Sequence, residues 1–411
     1  MPKINPDRLL GDLYRLREFG AYKTGVHRPT YAPDDIASRH WLAARMAEAG
    51  LDASIDGIGN VIGRAPGPGP KLLIGSHSET QPYAGWLDGA LGVIYGLEVA
   101  RALSEDPACA GLGVDVAAWA DEEGHYKSFI GSRSFIGDLT EDEIDGIANQ
   151  HDGTPLRTAL AAAGLKDKPR IQVEPGRHIG FMEAHIEQGD SLEARGLKLG
   201  VVASIVAIWQ FRITATGIQN HAGTTRMAIR KDAGLALARL AVAIDERFPA
   251  VKAPLSVWTV GDIDLEPGFG SIIPGKATML FQFRDVDKAQ LLRFERTLEA
   301  LIKAANAAGP CALELETVFK TEPMAMAEAI QAALDQGSEA HAPGLHVRMP
   351  SGAGHDAQVL AGIMPAGMLF IPSIGGVSHH WTENTADADI VTGAAAMADA
   401  AAILLKAAAK A

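Results

Sequence analysis

The chain has 411 residues, of which 47% are hydrophobic and 21% charged, an ordinary globular composition that excludes disorder as the main state. Its 37 Lys and Arg against 50 Asp and Glu leave a net charge of −13. That balance argues against a nucleic-acid backbone or an anionic membrane as partner, because both need a basic face. The length suggests about two to three domains. Cys109 and Cys311 are too few for a disulfide framework or a thiolate metal cage and read as buried free thiols. The N-terminus carries no apolar core of a secretory signal, and no run of about 18 apolar residues stands out, so the expectation is a soluble, cytoplasmic protein with no transmembrane helix.

In chain order, Leu9, Leu10, Leu13, Leu16 and Phe19 follow a helical period. Residues 31–50 read as a second helix, with Asp34 or Asp35 as cap and Gly50 as stop. A short strand is expected near Val61, then a Gly-Pro turn run over 65–70. KLLIGSHSET, residues 71–80, is an apolar run ending in polar groups, the way a buried parallel strand delivers functional side chains at its carboxyl end. Residues 90–103 read as a helix and 113–124 as a second buried strand that again ends polar. Strand, helix, strand at this spacing predicts a βαβ unit and a parallel sheet. From residue 208 the pattern changes. Residues 208–217 and 276–287 alternate like antiparallel strands, with helices over 232–248 and 289–308, which predicts an inserted α+β unit. A buried strand over 367–374 and an Ala-rich helix from Thr392 resume the α/β pattern. The expected fold is α/β: a mixed, mostly parallel sheet sandwiched by helices over 1–207 and 322–411, with the α+β unit over 208–321.

Hard and borderline metal ligands cluster at four strand ends or loops. They are His77 and Asp88; Asp121, Glu122 and Glu123; Glu183, His185, Glu187 and Gln188; and His379, His380 and Glu383. Imidazole with carboxylate and no thiolate suits Zn²⁺, Mn²⁺, Co²⁺ or Ni²⁺. One histidine after an apolar strand is commonly just hydrogen-bonded, and an acidic pair is commonly solvated. Two adjacent carboxylates beyond a buried strand repel each other unless a cation or a shared proton relieves them. Their ordered recurrence at strand ends is therefore the signal. No G-x-S-x-G elbow and no G-x-x-x-x-G-K-[ST] loop is present, which argues against a serine nucleophile and nucleotide use.

The motifs GSHSETQPYAGWLDGALGV, ADEEG, EAHIEQGDSLE, GIQNHAGTTRM, SGAGHDAQ and FIPSIGGVSHHWTENT resemble, in this order, the M20 metallopeptidase-like amidohydrolases of the hydantoinase/carbamoylase branch. That branch includes N-carbamoyl-L-amino acid hydrolases, β-ureidopropionases and allantoate amidohydrolases. The resemblance implies two divalent ions per subunit, one held by His77, Asp88 and His185 and the other by Asp88, Glu123 and His379, with Asp88 bridging. It implies Glu122 as the general base that takes a proton from water and hands it to the leaving nitrogen. Glu79 stands where the branch usually has Asp and is expected to orient the His77 imidazole by accepting its other N–H. The segments 1–207 and 322–411 would be the catalytic domain and 208–321 a lid and dimerisation domain. A hinge would lie near 207–210 and 320–323. His221 would reach the active site of a homodimer partner and stabilise the oxyanion. Arg284 would clamp the carboxylate of a small-molecule substrate, with Gln188 and His355 touching substrate and Arg230 near the same pocket. The implied reaction is hydrolysis of a linear C–N bond, ureido or amide. An aminoacylase or dipeptidase reaction is the alternative, disfavoured by His185 where many peptidase members carry a carboxylate.

Several positions depart from the branch. Ser271 replaces an asparagine, His125 and Tyr126 follow the acidic pair, Arg226 replaces proline, and His380 and Trp381 follow His379. These changes predict a pocket tuned to neither allantoate nor an ordinary N-carbamoyl amino acid, with a bulkier or aromatic group packed against Trp381, Tyr126 or Trp86.

Overall fold

Strands buried on both faces set the architecture around the acidic and imidazole clusters. In the computed structural model, which describes residues 1–410, the strands Lys71–His77 and Val114–Trp119 have every residue buried. Both read as continuous apolar runs, as strands covered by helices on each side must. They belong to a nine-stranded mixed sheet. Its centre is four parallel strands in the order Ala366–Ile371, His178–Ile186, Lys71–His77 and Val114–Trp119. Antiparallel strands flank them: Leu199–Ile205 on one side, Val61–Arg64 and then Asp52–Ile55 on the other.

The helix Ala90–Glu105 is buried along almost its whole length and makes the crossover between Lys71–His77 and Val114–Trp119. It packs on the C-terminal helix Asp387–Ala408, which also packs on Glu328–His341. Asp387–Ala408 is long and apolar enough to cross a membrane, a run that the sequence reading passed over. Here Ile390, Ala394, Met397 and Leu405 are core residues, and the helix starts before the expected Thr392.

The helix predicted over 31–50 spans Pro33–Glu48, but neither expected aspartate caps it. Ala32 takes the cap position and Pro33 opens the first turn, where its missing N–H costs nothing. Asp35 instead accepts the Tyr31 N–H at 2.8 Å and pairs with Arg39 one turn on.

The chain divides into two units, Met1–Ala203 with the chain from Ala325 onward, and Ser204–Met324. The second unit is a four-stranded antiparallel sheet in the order Val257–Glu266, Lys276–Asp285, Ala207–Thr216 and Ala312–Lys320. Trp209, Phe211, Ile213 and Ala215 alternate inward, as do Ala277, Met279, Phe281 and Phe283. The helices Ala233–Arg247 and Lys288–Ala308 cover that face, and Phe248 stacks on Phe294 with ring centroids 4.6 Å apart. The sequence reading named neither Val257–Glu266 nor Ala312–Lys320, because edge strands bury too little to print a clear alternation. Cys109 and Cys311 are buried free thiols.

The central strand pair tolerates no side chain at Gly75: a Cβ there would lie 2.1 Å from the Ala117 carbonyl oxygen. Gly75→Ala is expected to destabilise the protein by about 1–3 kcal/mol, read as a lower denaturant midpoint with an unchanged slope.

Candidate metal centre

The carboxyl ends of the parallel strands gather the predicted ligands on one edge of the sheet, where open α/β sheets form their crevices. His77 ends the strand Lys71–His77, and His185 lies at the end of its neighbour His178–Ile186. Asp88 stands just before the helix Ala90–Glu105, Glu122 and Glu123 follow Val114–Trp119, and His379 lies in the loop beyond Ala366–Ile371. Three ligand sets each have donor atoms within 4.8 Å of one another: His77, Asp88 and His185; His77, Glu122 and Glu123; and Asp88, Glu123 and His379.

Asp88 joins the sets. Its Oδ1 lies 3.4 Å from His77 Nε2 and 3.0 Å from His185 Nε2, while its Oδ2 lies 3.3 Å from His379 Nε2. Each oxygen thus faces a different imidazole group, the geometry of a bridging carboxylate. The Nδ1–H of His77 donates to the Glu79 carbonyl at 3.1 Å, and that of His185 to the Ile186 carbonyl at 2.9 Å. Both rings therefore turn Nε2 inward, the nitrogen that a cation would take once its proton has left. Gly89 makes room for this. A Cβ there would sit 2.4 Å from the His77 ring, and its φ of +65° is a backbone state that glycine adopts without strain. Glu123 Oε2 accepts from Gln81 at 2.7 Å, whereas Glu123 Oε1 is buried without a partner, a donor to spare for a cation.

Burial alone would push the His77 and His185 pKa values down, but the Asp88 hydrogen bond and the surrounding carboxylates raise both. The Asp88 hydrogen bond likewise carries His379 up to about 9. Burial opposes ionisation of Asp88, yet the three imidazoles hold it well below the usual carboxylate range. Glu122 is pushed far up, by burial first and then by Glu123, Asp356 and Asp88, so it is a carboxyl group able to take and hold a proton.

The other predicted residues divide between the two units. Gln188 donates to Asp88 Oδ2 at 3.0 Å, and its Nε2 lies 3.3 Å from His379 Nε2. His355 is buried with its ring 4.7 Å from that of His185, and burial holds it neutral. His221, Arg230, Ser271 and Arg284 belong to the second unit. His221 is exposed and its Nδ1 accepts from the Gly223 and Thr224 amides, which leaves the proton of the neutral ring on Nε2. Arg230 braces the same loop through the Thr225 and Ala222 carbonyls, and the Ser271 carbonyl accepts the Ala222 N–H. Arg284 is partly buried, which lowers its pKa, and its Nε donates to Gln282 at 3.3 Å.

Three expectations need correction. Glu79 reaches the His77 ring through its backbone carbonyl; its carboxylate lies farther, at 3.7 Å, and instead accepts the Glu122 N–H at 2.7 Å. Tyr126 and Trp86 are not free to line a pocket. Tyr126 packs into a small core with Ile58 and Ile130, and Trp86 is buried against Tyr14. Trp381 alone keeps partial exposure, with Lys23 Nζ 4.2 Å over its ring. Glu383, grouped with the ligands in the sequence, joins none of the three sets. It accepts the Leu87 and Asp88 N–H groups at 3.2 Å and the Ser378 hydroxyl at 3.0 Å, and burial and Asp88 lift it to about 8. Glu383 thus ties the Asp88 loop to the His379 loop. Asp356, buried beside Glu183, was missed although it follows His355 directly in the SGAGHDA motif.

The sequence pattern of peptidase family M20/M25/M40 matches residues 73–402. The chain belongs to that family. M20 proteins are metal-dependent, and the donor set around Asp88 fits such use. The N-carbamoyl-L-amino-acid amidohydrolase of Paenarthrobacter aurescens is 32% identical over 395 residues, covering 93% of this chain and 95% of that protein. The allantoate amidohydrolase of Escherichia coli K12 is 33% identical over 390 residues, 93% of this chain and 94% of that one. A crystal structure of an amidase of the hydantoinase/carbamoylase family from Burkholderia phymatum superposes with a TM-score of 0.90 at 50% identity, covering 99% of each chain. This M20 chain is accordingly a metal-dependent hydrolase of C–N bonds with a mixed α/β fold.

A ring nitrogen that carries a proton cannot bind a cation, and the centre's histidines hold theirs tightly. Metal binding is therefore expected to release protons, with an affinity that rises with pH through the range in which these histidines titrate, His379 at about 9 among them. Calorimetric titration with Zn²⁺ or Mn²⁺ in buffers of different ionisation enthalpy checks this; a pH-independent affinity without proton release would contradict it.

Proposed function

We propose that this M20 protein is a binuclear amidohydrolase that cleaves a linear C–N bond, N-carbamoyl, ureido or a related amide, in a small substrate bearing a carboxylate. The observation that carries the reading is Asp88, one carboxylate with its two oxygens turned to separate imidazole groups. His77, Asp88 and His185 would hold one ion, and Asp88, Glu123 and His379 the other. Two divalent ions, Zn²⁺, Mn²⁺, Co²⁺ or Ni²⁺, would there supply Lewis-acid polarisation and a water acidic enough to ionise near neutral pH.

Glu122 then has the proton work. Its Oε2 lies 3.8 Å from His77 Nε2, at the edge of the cluster, and its raised pKa suits a group that accepts a proton from water and returns it to the leaving nitrogen. Gln188 and His355 would contact the substrate from the same unit. Arg284 would take the substrate carboxylate, because a guanidinium binds both oxygens at once. Arg230 and Ser271 would shape the His221 loop, and His221 would offer its Nε2–H to the developing oxyanion.

We assign the catalytic role to segments 1–207 and 322–411 and the lid and dimerisation role to 208–321. A homodimer is favoured by the edge strand Val257–Glu266. Val257, Val260, Ile263 and Leu265 are exposed on it, an apolar edge that a soluble chain ordinarily covers. The names of the relatives, an N-carbamoyl-L-amino-acid amidohydrolase and an allantoate amidohydrolase, favour this reading over an aminoacylase or dipeptidase.

Two outcomes are expected. Chelation should abolish hydrolysis of N-carbamoyl amino acids and Mn²⁺, Zn²⁺, Co²⁺ or Ni²⁺ should restore it, while Glu122→Gln keeps its metal content and loses about 10²–10⁴-fold in kcat. Retained turnover in that variant would remove Glu122 from the base role. Co-expressed His221→Ala and Glu122→Gln chains should regain about a quarter of wild-type activity, because half of random dimers then hold one intact composite site. Failure of the mixture to exceed either variant alone would place His221 outside any partner's site.

A further inference from the structure

The segment that follows His77 is held by two arginines with fully buried guanidinium groups. Arg28 donates from Nε and Nη2 to the Ser78 carbonyl at 2.9 and 2.7 Å, and from Nη1 to the carbonyls of Leu16 and Phe19. Arg39 donates from Nε to Asp35 at 3.0 Å and from Nη1 to the Gly59 and Trp119 carbonyls. Its Nη2 reaches Glu79 Oε2 at 2.9 Å, and neither side chain has any exposure. The other oxygen of the same carboxylate, Glu79 Oε1, accepts the backbone N–H of Glu122 at 2.7 Å. Both arginines lie ahead of residue 73, where the M20 match begins.

We propose that Arg39 is a positioning residue for Glu122, acting through Glu79. The inference rests on reading Glu122 as the general base. A carboxylate is planar, so fixing one oxygen on a guanidinium fixes where the other points. Here it points at the one backbone amide that belongs to the base. That amide needs holding, because Asp121, just before it, has a φ of +57°, a conformation a non-glycine residue keeps only when its surroundings enforce it. Four donors fix this turn independently through the Asp121 carboxylate: the Thr30 hydroxyl and the His125, Tyr126 and Lys127 amides. The Arg39–Glu79 pair adds what they do not, a rigid strut from the turn to the residue whose carbonyl orients His77. The base and one imidazole ligand are thereby kept in register. A purely structural pair would explain the burial of Arg39 and Asp35, but not why the second oxygen of Glu79 goes to the Glu122 amide.

The test is the kinetics and cobalt binding of Arg39 variants. Arg39→Met removes the guanidinium that pairs with both Asp35 and Glu79, and the loss of one partner of a buried pair can prevent folding. Asp35→Asn/Arg39→Met serves beside it, since Glu79 is then the one carboxylate of the two left without its guanidinium. In the folded fraction, determined by circular dichroism and gel filtration, kcat on an N-carbamoyl amino acid is expected to fall about 10–100-fold with KM nearly unchanged. Co²⁺ affinity should weaken and the visible spectrum of the Co²⁺-loaded protein should shift, and Arg39→Lys should recover part of the kcat. In a Glu79→Gln background the Arg39 change should cost little more, because both act along one line. Wild-type kcat and an unchanged Co²⁺ titration in the folded Asp35→Asn/Arg39→Met protein would overturn the proposal. So would a full additional loss in the Glu79→Gln background. Where Glu122→Gln itself retains turnover, the base assignment fails; where Glu122→Gln is dead and the Arg39 variants run normally, only the positioning role fails.

Discussion

Asp88 offers Oδ1 to His77 and His185 and Oδ2 to His379, and most of the surrounding structure can be understood as holding that carboxylate and its three imidazoles in place. Four carboxylates near the same point, Asp88 and Glu79 buried and Glu122 and Glu123 partly so, would repel one another strongly where water is largely excluded. Protons on the histidines relieve part of that repulsion, and two divalent cations would relieve more. The chain's charge of −13 contributes to the centre only through these few groups, and most of the remaining acids lie on the surface.

The parallel sheet makes the concentration of charge affordable in conformational terms. Adjacent parallel strands end side by side, so His77 and His185 arrive together without any loop having to order them. Each ring is then turned by a carbonyl on its own strand end, Glu79 or Ile186. The loops that carry Asp88, Glu122, Glu123 and His379 are placed by no strand pairing. These are tied down by groups that are not ligands: Glu383 across the Asp88 and His379 loops, and Glu79 with Arg39 at the acidic turn.

Much of the candidate site was legible because its residues sit in short contiguous motifs at strand ends. GSHSET, ADEEG and EAHIEQG each announce an apolar strand and the polar groups it delivers, and the structure brings His77, Glu122, Glu123 and His185 from them within ligand distance in the three sets. What the motifs could not convey was which atom does what. Glu79 was expected to act on His77 with its side chain, but a glutamate carries its carboxylate one methylene farther than an aspartate, and here that reach ends at the Glu122 amide. Trp86 and Tyr126 looked available for a pocket because a sequence does not reveal that Tyr14 and Ile58 lie on top of them. Arg28 and Arg39 left no signal at all. The partners that tie them to the site, Ser78 and Glu79, are 50 and 40 residues away, and a lone arginine in a loop or a helix reads as surface charge.

The order of apolar runs and polar strand ends determined the α/β class, the α+β insertion and the clusters of candidate metal-ligating groups, because periodicity and side-chain chemistry are local properties. Only the tertiary structure decided the edge strands of the second unit, the burial of the C-terminal helix and the division of labour within the Asp88, Glu79 and Glu383 carboxylates. Those depend on which distant donor comes within about 3 Å of which oxygen. Such pairings are set by the packing of the whole chain, and Glu79 with Arg39 or Glu383 with the Asp88 N–H lie too far apart in sequence for one stretch to contain both partners.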